Sequence, residues 1–142
     1  MQINQKGLDL IKQFEGCRLK AYRDVVGIWT IGFGHTGDDV HPGMVITQDE
    51  ADELLQSDLS DFEYGIEQLV QVQLNDNQFS ALVSFTYNVG LGNFKGSKLL
   101  KKINKQDFEG AAQEFGRWAN AGGRKLSDLV RRREAEKELF LS

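Results

Sequence analysis

Cys17 is the only cysteine in the 142 residues, so no intrachain disulfide can form and stability must come from packing. With no activating partner evident beside it, Cys17 reads as a partly buried structural thiol rather than a nucleophile. No apolar run is long enough to span a membrane, and the opening residues MQINQKG lack the hydrophobic stretch of a secretory leader. A chain of this kind acting outside the cytoplasm needs another factor to release it. No basic stripe with interleaved aromatics is present, and the formal charge of −4 gives no support to a nucleic-acid partner. Neither repeats nor a disordered composition appear, and no metal or cofactor is expected.

What is present is the charged and apolar balance of one soluble domain, monomeric by expectation and large enough to bury a core. The charge is unevenly spread. Residues 1–36 carry a net +2, residues 37–67 carry −10 with no Lys or Arg, and residues 68–142 carry +4. The acidic block is read as a solvated helix face.

Ile3-Asn4 followed by Leu8 reads as a helix start, with Asn4 as N-cap and Ile3 and Leu8 as a hydrophobic staple. Advancing about 100° per residue from Leu8, Leu10, Ile11 and Phe14 share one side, opposite Asp9, Lys12 and Gln13. Glu15 falls between Leu8 and Ile11, on the apolar side, and Gly16 then stops the helix. A carboxyl group facing inward is desolvated, which favours its neutral form, and a neutral carboxyl near neutral pH is what a general acid must be. Pairing with a core arginine is the competing reading of Glu15.

Residues 18–36 change period. From Ile28 to Gly34, the bulky Trp29, Ile31 and Phe33 alternate with Thr30, Gly32 and Gly34, the signature of a strand with one crowded and one nearly bare face. Asp24-Val25-Val26-Gly27 forms the turn to a shorter strand around Lys20–Arg23 and leaves Asp24 hydrated and ionised, the opposite of Glu15. The bare lane at Thr30, Gly32 and Gly34 either admits an extended substrate or merely marks bulges. His35 ends the strand and is read as structural. Thr47 and Glu50 make a capping box, which opens a long helix with Ala51, Leu54, Leu55, Leu59, Phe62, Ile66 and Leu69 at core spacing. Asp58 interrupts that apolar arc. An unpaired buried charge is costly, so Asp58 is expected to pair with His35.

The remainder reads as helical. One helix is expected near Asp76–Asn88 and another from Ser97 through Ile103. A third carries Phe108, Ala111, Ala112, Phe115 and Trp118 on its inward stripe, and after Gly122-Gly123 a last one spans Leu126–Phe140. The Arg131-Arg132-Arg133 run of that last helix invites a membrane-disruption reading. Five basic and four acidic residues over Lys125–Glu138 point instead to an ordinary solvated face.

Glu15-Gly16, Leu19–Tyr22 with Asp24, Gly27, and Thr30-Ile31-Gly32-Phe33-Gly34-His35-Thr36 together resemble the phage-type lysozymes, the endolysins of glycoside hydrolase family 24. Further matches are Ile46-Thr47 with Glu50-Ala51, Asn77-Gln78-Phe79 with Ala81-Leu82, Phe85 with Asn88-Val89-Gly90, and Arg131–Arg133 with Glu136. Val25-Val26 is a more apolar turn than the family pattern. The resemblance implies an α+β, mainly helical, lysozyme-like two-lobed fold in a single domain 1–142. A sheet lobe at about 17–46 precedes a connecting helix at about 48–70. A helical lobe at about 71–142 follows, with helix 4–15 packed against it. It implies a catalytic set of Glu15, Asp24 and Thr30 and a structural His35–Asp58 pair. The implied reaction is inverting hydrolysis of the β-1,4 bond between N-acetylmuramic acid and N-acetylglucosamine in bacterial peptidoglycan. Glu15 would act as acid, with Asp24 and Thr30 holding the water. Gly32 and Gly34 are then candidate substrate-binding positions. A lytic transglycosylase and a non-catalytic peptidoglycan-binding module are the alternatives.

Overall fold

Asn4 opens the first helix by accepting the Gly7 N–H on its side-chain oxygen at 3.0 Å, and α1 runs Gln5–Glu15. The computed structural model describes all residues, Met1–Ser142. β1 (Arg18–Arg23), β2 (Trp29–Gly32) and β3 (His35–Thr36) follow, then α2 (Gln48–Leu69), α3 (Asp76–Val89), α4 (Leu91–Lys95), α5 (Lys98–Asn104) and α6 (Phe108–Glu114). A 3-10 turn at Phe115–Arg117, a small hairpin of β4 (Asn120–Ala121) and β5 (Arg124–Lys125), and α7 (Ser127–Leu141) complete the chain. Two compact units result, Lys12–Ser60 and the pairing of Met1–Ile11 with Asp61–Ser142. The divisions fall inside α1 and α2, so the sheet-bearing unit is wider than the expected 17–46.

In the Lys12–Ser60 unit the three strands form an antiparallel sheet in the order β1-β2-β3, with Tyr22 opposite Thr30 and Ile31 opposite His35. The single strand expected over 28–34 is broken. Gly32 and Gly34 adopt φ of +67° and +86°, a region only glycine enters without strain, and the chain reverses between them. Phe33 therefore leaves the strand alternation and is buried in the turn, with the Lys12 ammonium 5.5 Å above its ring. On its other edge β1 meets the Met44–Ile46 stretch, where Ala21 donates to the Met44 carbonyl at 2.9 Å and Ile46 to the Leu19 carbonyl at 2.8 Å. The Thr47–Glu50 capping box forms reciprocally at 3.0 and 3.1 Å and starts α2 at Gln48.

The buried Ala51, Leu55 and Leu59 lie along the first half of α2. A Cβ placed on Gly32 would meet Ala51 and Ile46 at 3.7 Å, so this part of the sheet is packed against α2. His35 adds a polar tie, with Nδ1 2.7 Å from Asp58 Oδ2 and Nε2 3.0 Å from Asp39 Oδ2. Burial pulls the imidazole pKa down, but the hydrogen bonds and charges of Asp58 and Asp39 outweigh it and raise the value above the usual 6.5. The Asp39 carboxyl is correspondingly lowered, chiefly by its bond to His35.

The other unit is a helical core. Asn75 and Gln78 form a capping box on α3, which is buried continuously from Phe79 to Thr86. Phe85 meets Phe94, Phe115 and Trp118 edge-on at 5.3 to 6.3 Å, and Phe140 tilts onto Phe115. The largest departure from the sequence expectation is in α7. Arg131 is solvated and paired with Asp128, but Arg132 is 3% exposed, Arg133 1% and Glu136 0%. Glu136 accepts from Arg133 Nη2 at 3.3 Å, Arg132 Nε at 3.2 Å and the Ser84 hydroxyl at 2.6 Å, and Arg133 Nε lies 2.7 Å from its other oxygen as an ion pair. Arg132 also donates to the Ser84 carbonyl at 3.0 Å, and Arg133 to the Asn88 side chain at 2.9 Å and the Trp118 carbonyl at 3.3 Å. Two of the three arginines are thus clamps between α7 and α3, and the residue count over 125–138 misjudged their face. Burial pushes the Glu136 carboxyl up, against the opposing pull of Arg133 and Arg132.

Two predictions follow from these networks. Glu136→Ala leaves two buried guanidinium groups without their shared anion and should cost about 3–5 kcal/mol in urea unfolding; a loss under about 1 kcal/mol would contradict the clamp. For His35 the folded value is raised, so its stabilisation is complete below the ordinary 6.5 and is lost as pH rises through the folded value. Stability of the wild type should therefore fall over that window, and the fall should be reduced in Asp58→Asn. An NMR titration giving a His35 value that is not raised, or one unchanged by Asp58→Asn, would refute the assignment.

Candidate active site

The carboxylates singled out in the sequence sit on elements of different kinds. Glu15 is the last residue of α1 and is half-buried, and Gly16 at φ +68° turns the chain toward β1. Cys17, next in line, is exposed rather than partly buried, with Sγ 3.8–3.9 Å from the Gln48 amide. Its position on a surface turn between α1 and β1, outside either core, explains the difference.

Asp24 ends β1 and folds the chain back on itself. Its Oδ1 accepts the N–H groups of Val26 and Ile28, both at 2.9 Å, while its own N–H donates to the Ile28 carbonyl at 2.9 Å. Gly27 donates to the Asp24 carbonyl at 3.0 Å. This is the Asx-type self-capping that short acidic side chains favour in turns. One carboxylate oxygen is thereby committed to the backbone and the other, Oδ2, is left for an outside donor. Val25 and Val26, the apolar pair at the tip, are exposed.

Thr30 is two register steps away, opposite Tyr22. Its hydroxyl donates to the Ile28 carbonyl at 2.9 Å, the same carbonyl that receives the Asp24 N–H. The structure therefore brings Asp24 and Thr30 together through one residue, Ile28, whose side chain suggested no role in the sequence. Thr30 is only 4% exposed and Gly32 is buried against α2, so the bare lane expected at Thr30, Gly32 and Gly34 is not open along its length. Gly34 alone of the three is partly exposed. At Gly32 a Cβ would stand in ordinary contact, 3.7 Å from Ala51 and Ile46.

His35 and Asp58 are brought together as described, and Asp39 on the second ring nitrogen was not anticipated. Its place four residues beyond His35 was the available signal. No group of three or more His, Cys, Asp or Glu side chains is arranged to hold a metal ion. No helix is long and apolar enough to cross a membrane.

The Phage lysozyme family profile matches residues 12–136. The chain is 49% identical over 144 residues to an endolysin of Bacillus phage B103, covering all of this chain and 55% of that protein. It thus spans about half the length of that endolysin and, at 56%, of the one from Bacillus phage PZA. Against the endolysin of Salmonella phage P22 it is 44% identical over 146 residues, covering 100% of this chain and 99% of the relative. Among solved structures, the muramidase domain of SpmX from Asticaccaulis excentricus superposes with a TM-score of 0.93 at 39% identity, covering 99% and 98% of the two chains. A P22 lysozyme variant does so with 0.90 at 43%, covering 100% and 99%. Family profile, full-length similarity to the P22 endolysin and a shared fold agree, and the chain belongs to the phage lysozyme family.

Proposed function

We propose that this chain is a muramidase that hydrolyses the β-1,4 bond between N-acetylmuramic acid and N-acetylglucosamine in bacterial peptidoglycan, working as a monomer on the cell wall. The observation that carries the reading is the shared anchoring of Asp24 and Thr30 on Ile28, in a chain of this family with a half-buried Glu15 closing its first helix. Membership of the phage lysozyme family and the likeness to a muramidase domain support it.

In this mechanism Glu15, protonated, donates to the departing glycosidic oxygen. The water attacks from the opposite side of the sugar ring, and the hydrogen-bond polarity around it follows from the geometry. Oδ2 of Asp24 can only accept while ionised. The Thr30 hydroxyl has given its hydrogen to the Ile28 carbonyl and so also offers a lone pair. A water between them donates both hydrogens and turns its own lone pair toward the anomeric carbon. As the bond to carbon forms, one proton passes to Asp24, and the leaving hydroxyl keeps the proton from Glu15. Near-complete burial of Thr30 fits a hydroxyl that serves one ordered water rather than bulk solvent. Inversion follows from single displacement, with the two carboxyls separated by roughly 6.5–9.5 Å to admit the water. A transglycosylase needs no held water, so the paired acceptors favour hydrolysis.

A turbidity assay on permeabilised cells compares wild type with Glu15→Gln, which should lose on the order of 10²–10⁴-fold in rate. Comparable clearing by the variant would remove Glu15 from the chemistry, and an inactive wild type would remove the function. Thr30 makes a second test. Thr30→Ser keeps the acceptor and should remain close to wild type, whereas Thr30→Val should lose ~10²-fold in kcat. Equal activities of the two would show that the hydroxyl plays no part.

A further inference from the structure

The Asp24–Ile28 turn has little side-chain packing to hold its shape. Val25 and Val26 are exposed, Ile28 is about half-exposed, and Gly27 has nothing within 4 Å of where a Cβ would stand. Its conformation rests on backbone hydrogen bonds that converge on one peptide residue. Ile28 donates its N–H to Asp24 Oδ1, and its carbonyl accepts both the Asp24 N–H and the Thr30 hydroxyl. The turn reaches that arrangement through Gly27, whose φ is +88°. At that angle an L side chain is strained even in open space.

We infer that Gly27 and the Ile28 peptide group are positioning elements of the proposed hydrolysis: Gly27 lets Ile28 reach back to Asp24, and Ile28 fixes the oxygens of Asp24 and Thr30 relative to each other. The inference rests on the muramidase reading and goes beyond it, because it assigns the role to a backbone conformation and a peptide group rather than to a side chain. The glycine is required for the aim of the carboxylate, not for space. With Gly27 replaced by alanine, the turn relaxes toward negative φ, the Ile28 N–H leaves Oδ1, and Asp24 Oδ2 loses its fixed place beside Thr30.

Gly43 supplies the control. It lies in the same unit, has φ +83° and likewise nothing within 4 Å of where a Cβ would stand, and belongs to a separate turn closed by the Met44 N–H on the His41 carbonyl, so Gly43→Ala imposes comparable backbone strain in a different turn. Both variants should lower the melting temperature to a similar extent. Only Gly27→Ala should lower kcat on peptidoglycan, by about 10²-fold with KM little changed, as displacement of a reacting group does. Gly27→Asn, a residue that tolerates positive φ, should recover much of the loss and also remains testable if the alanine variant folds poorly. Equal kcat for Gly27→Ala and Gly43→Ala, or no recovery in a folded Gly27→Asn, would overturn the positioning role while leaving the muramidase reading in place. An inactive wild type would instead remove that reading.

Discussion

A carboxylate that must hold a single water in one orientation cannot be left to rotate on an exposed turn, yet a carboxylate that is buried loses access to water. Asp24 meets both demands by dividing its two oxygens. Oδ1 is saturated by the Val26 and Ile28 N–H groups, which fixes the carboxylate plane, and Oδ2 stays available. Each such bond to a charged acceptor is worth about 1.5–3 kcal/mol, enough to hold a turn whose side chains are largely exposed. Thr30 is drawn into the same arrangement through the Ile28 carbonyl. The rest of the sheet unit can be understood as what keeps Ile28 where it is.

That dependence runs outward in steps. Ile28 leads into β2, whose register places Thr30 opposite Tyr22 and Ile31 opposite His35. β2 ends at Gly32, which packs closely on Ala51 of α2, and the chain returns through His35, tied to Asp58 on the same helix. The two contacts differ in kind, one apolar and one ionic, and act on consecutive strands. A slip of β2 by one residue would exchange Thr30 for Ile31 on its face, so the same contacts that fix the register also fix the site. The helical unit solves a separate problem: its buried Glu136 gathers Ser84, Arg132 and Arg133 and so orders α7 on α3.

The sequence is legible where a local rule decides the outcome. Asn4 and Thr47 cap the helices they were expected to cap, since capping needs only three or four residues in a row. The helical period placed α2, α3, α5 and α7 to within a residue or two of their observed limits. Legibility ended where the backbone or a distant residue decides. Phe33 alternates like a strand residue but sits in a turn, because two glycines at positive φ override the period. The Gly122-Gly123 break is the turn of a two-stranded hairpin, not only a helix stop. Arg133 and Glu136 keep helical phase with Leu129 and Phe140, which was the usable signal of their burial, but counting charges along the segment concealed it. The Ile28 clamp could not be read at all, since it is made of peptide groups that every residue carries.

The central claim is that Asp24 and Thr30 together present one water to the far side of the sugar. The configuration of the first product tests it most directly. Proton NMR during early turnover of a soluble peptidoglycan glycan, before mutarotation, should show the new reducing end appearing as the α-anomer from a β-linked substrate. Appearance of the β-anomer first would mean a covalent or substrate-assisted path and would contradict the account, and a 1,6-anhydro product would do so equally.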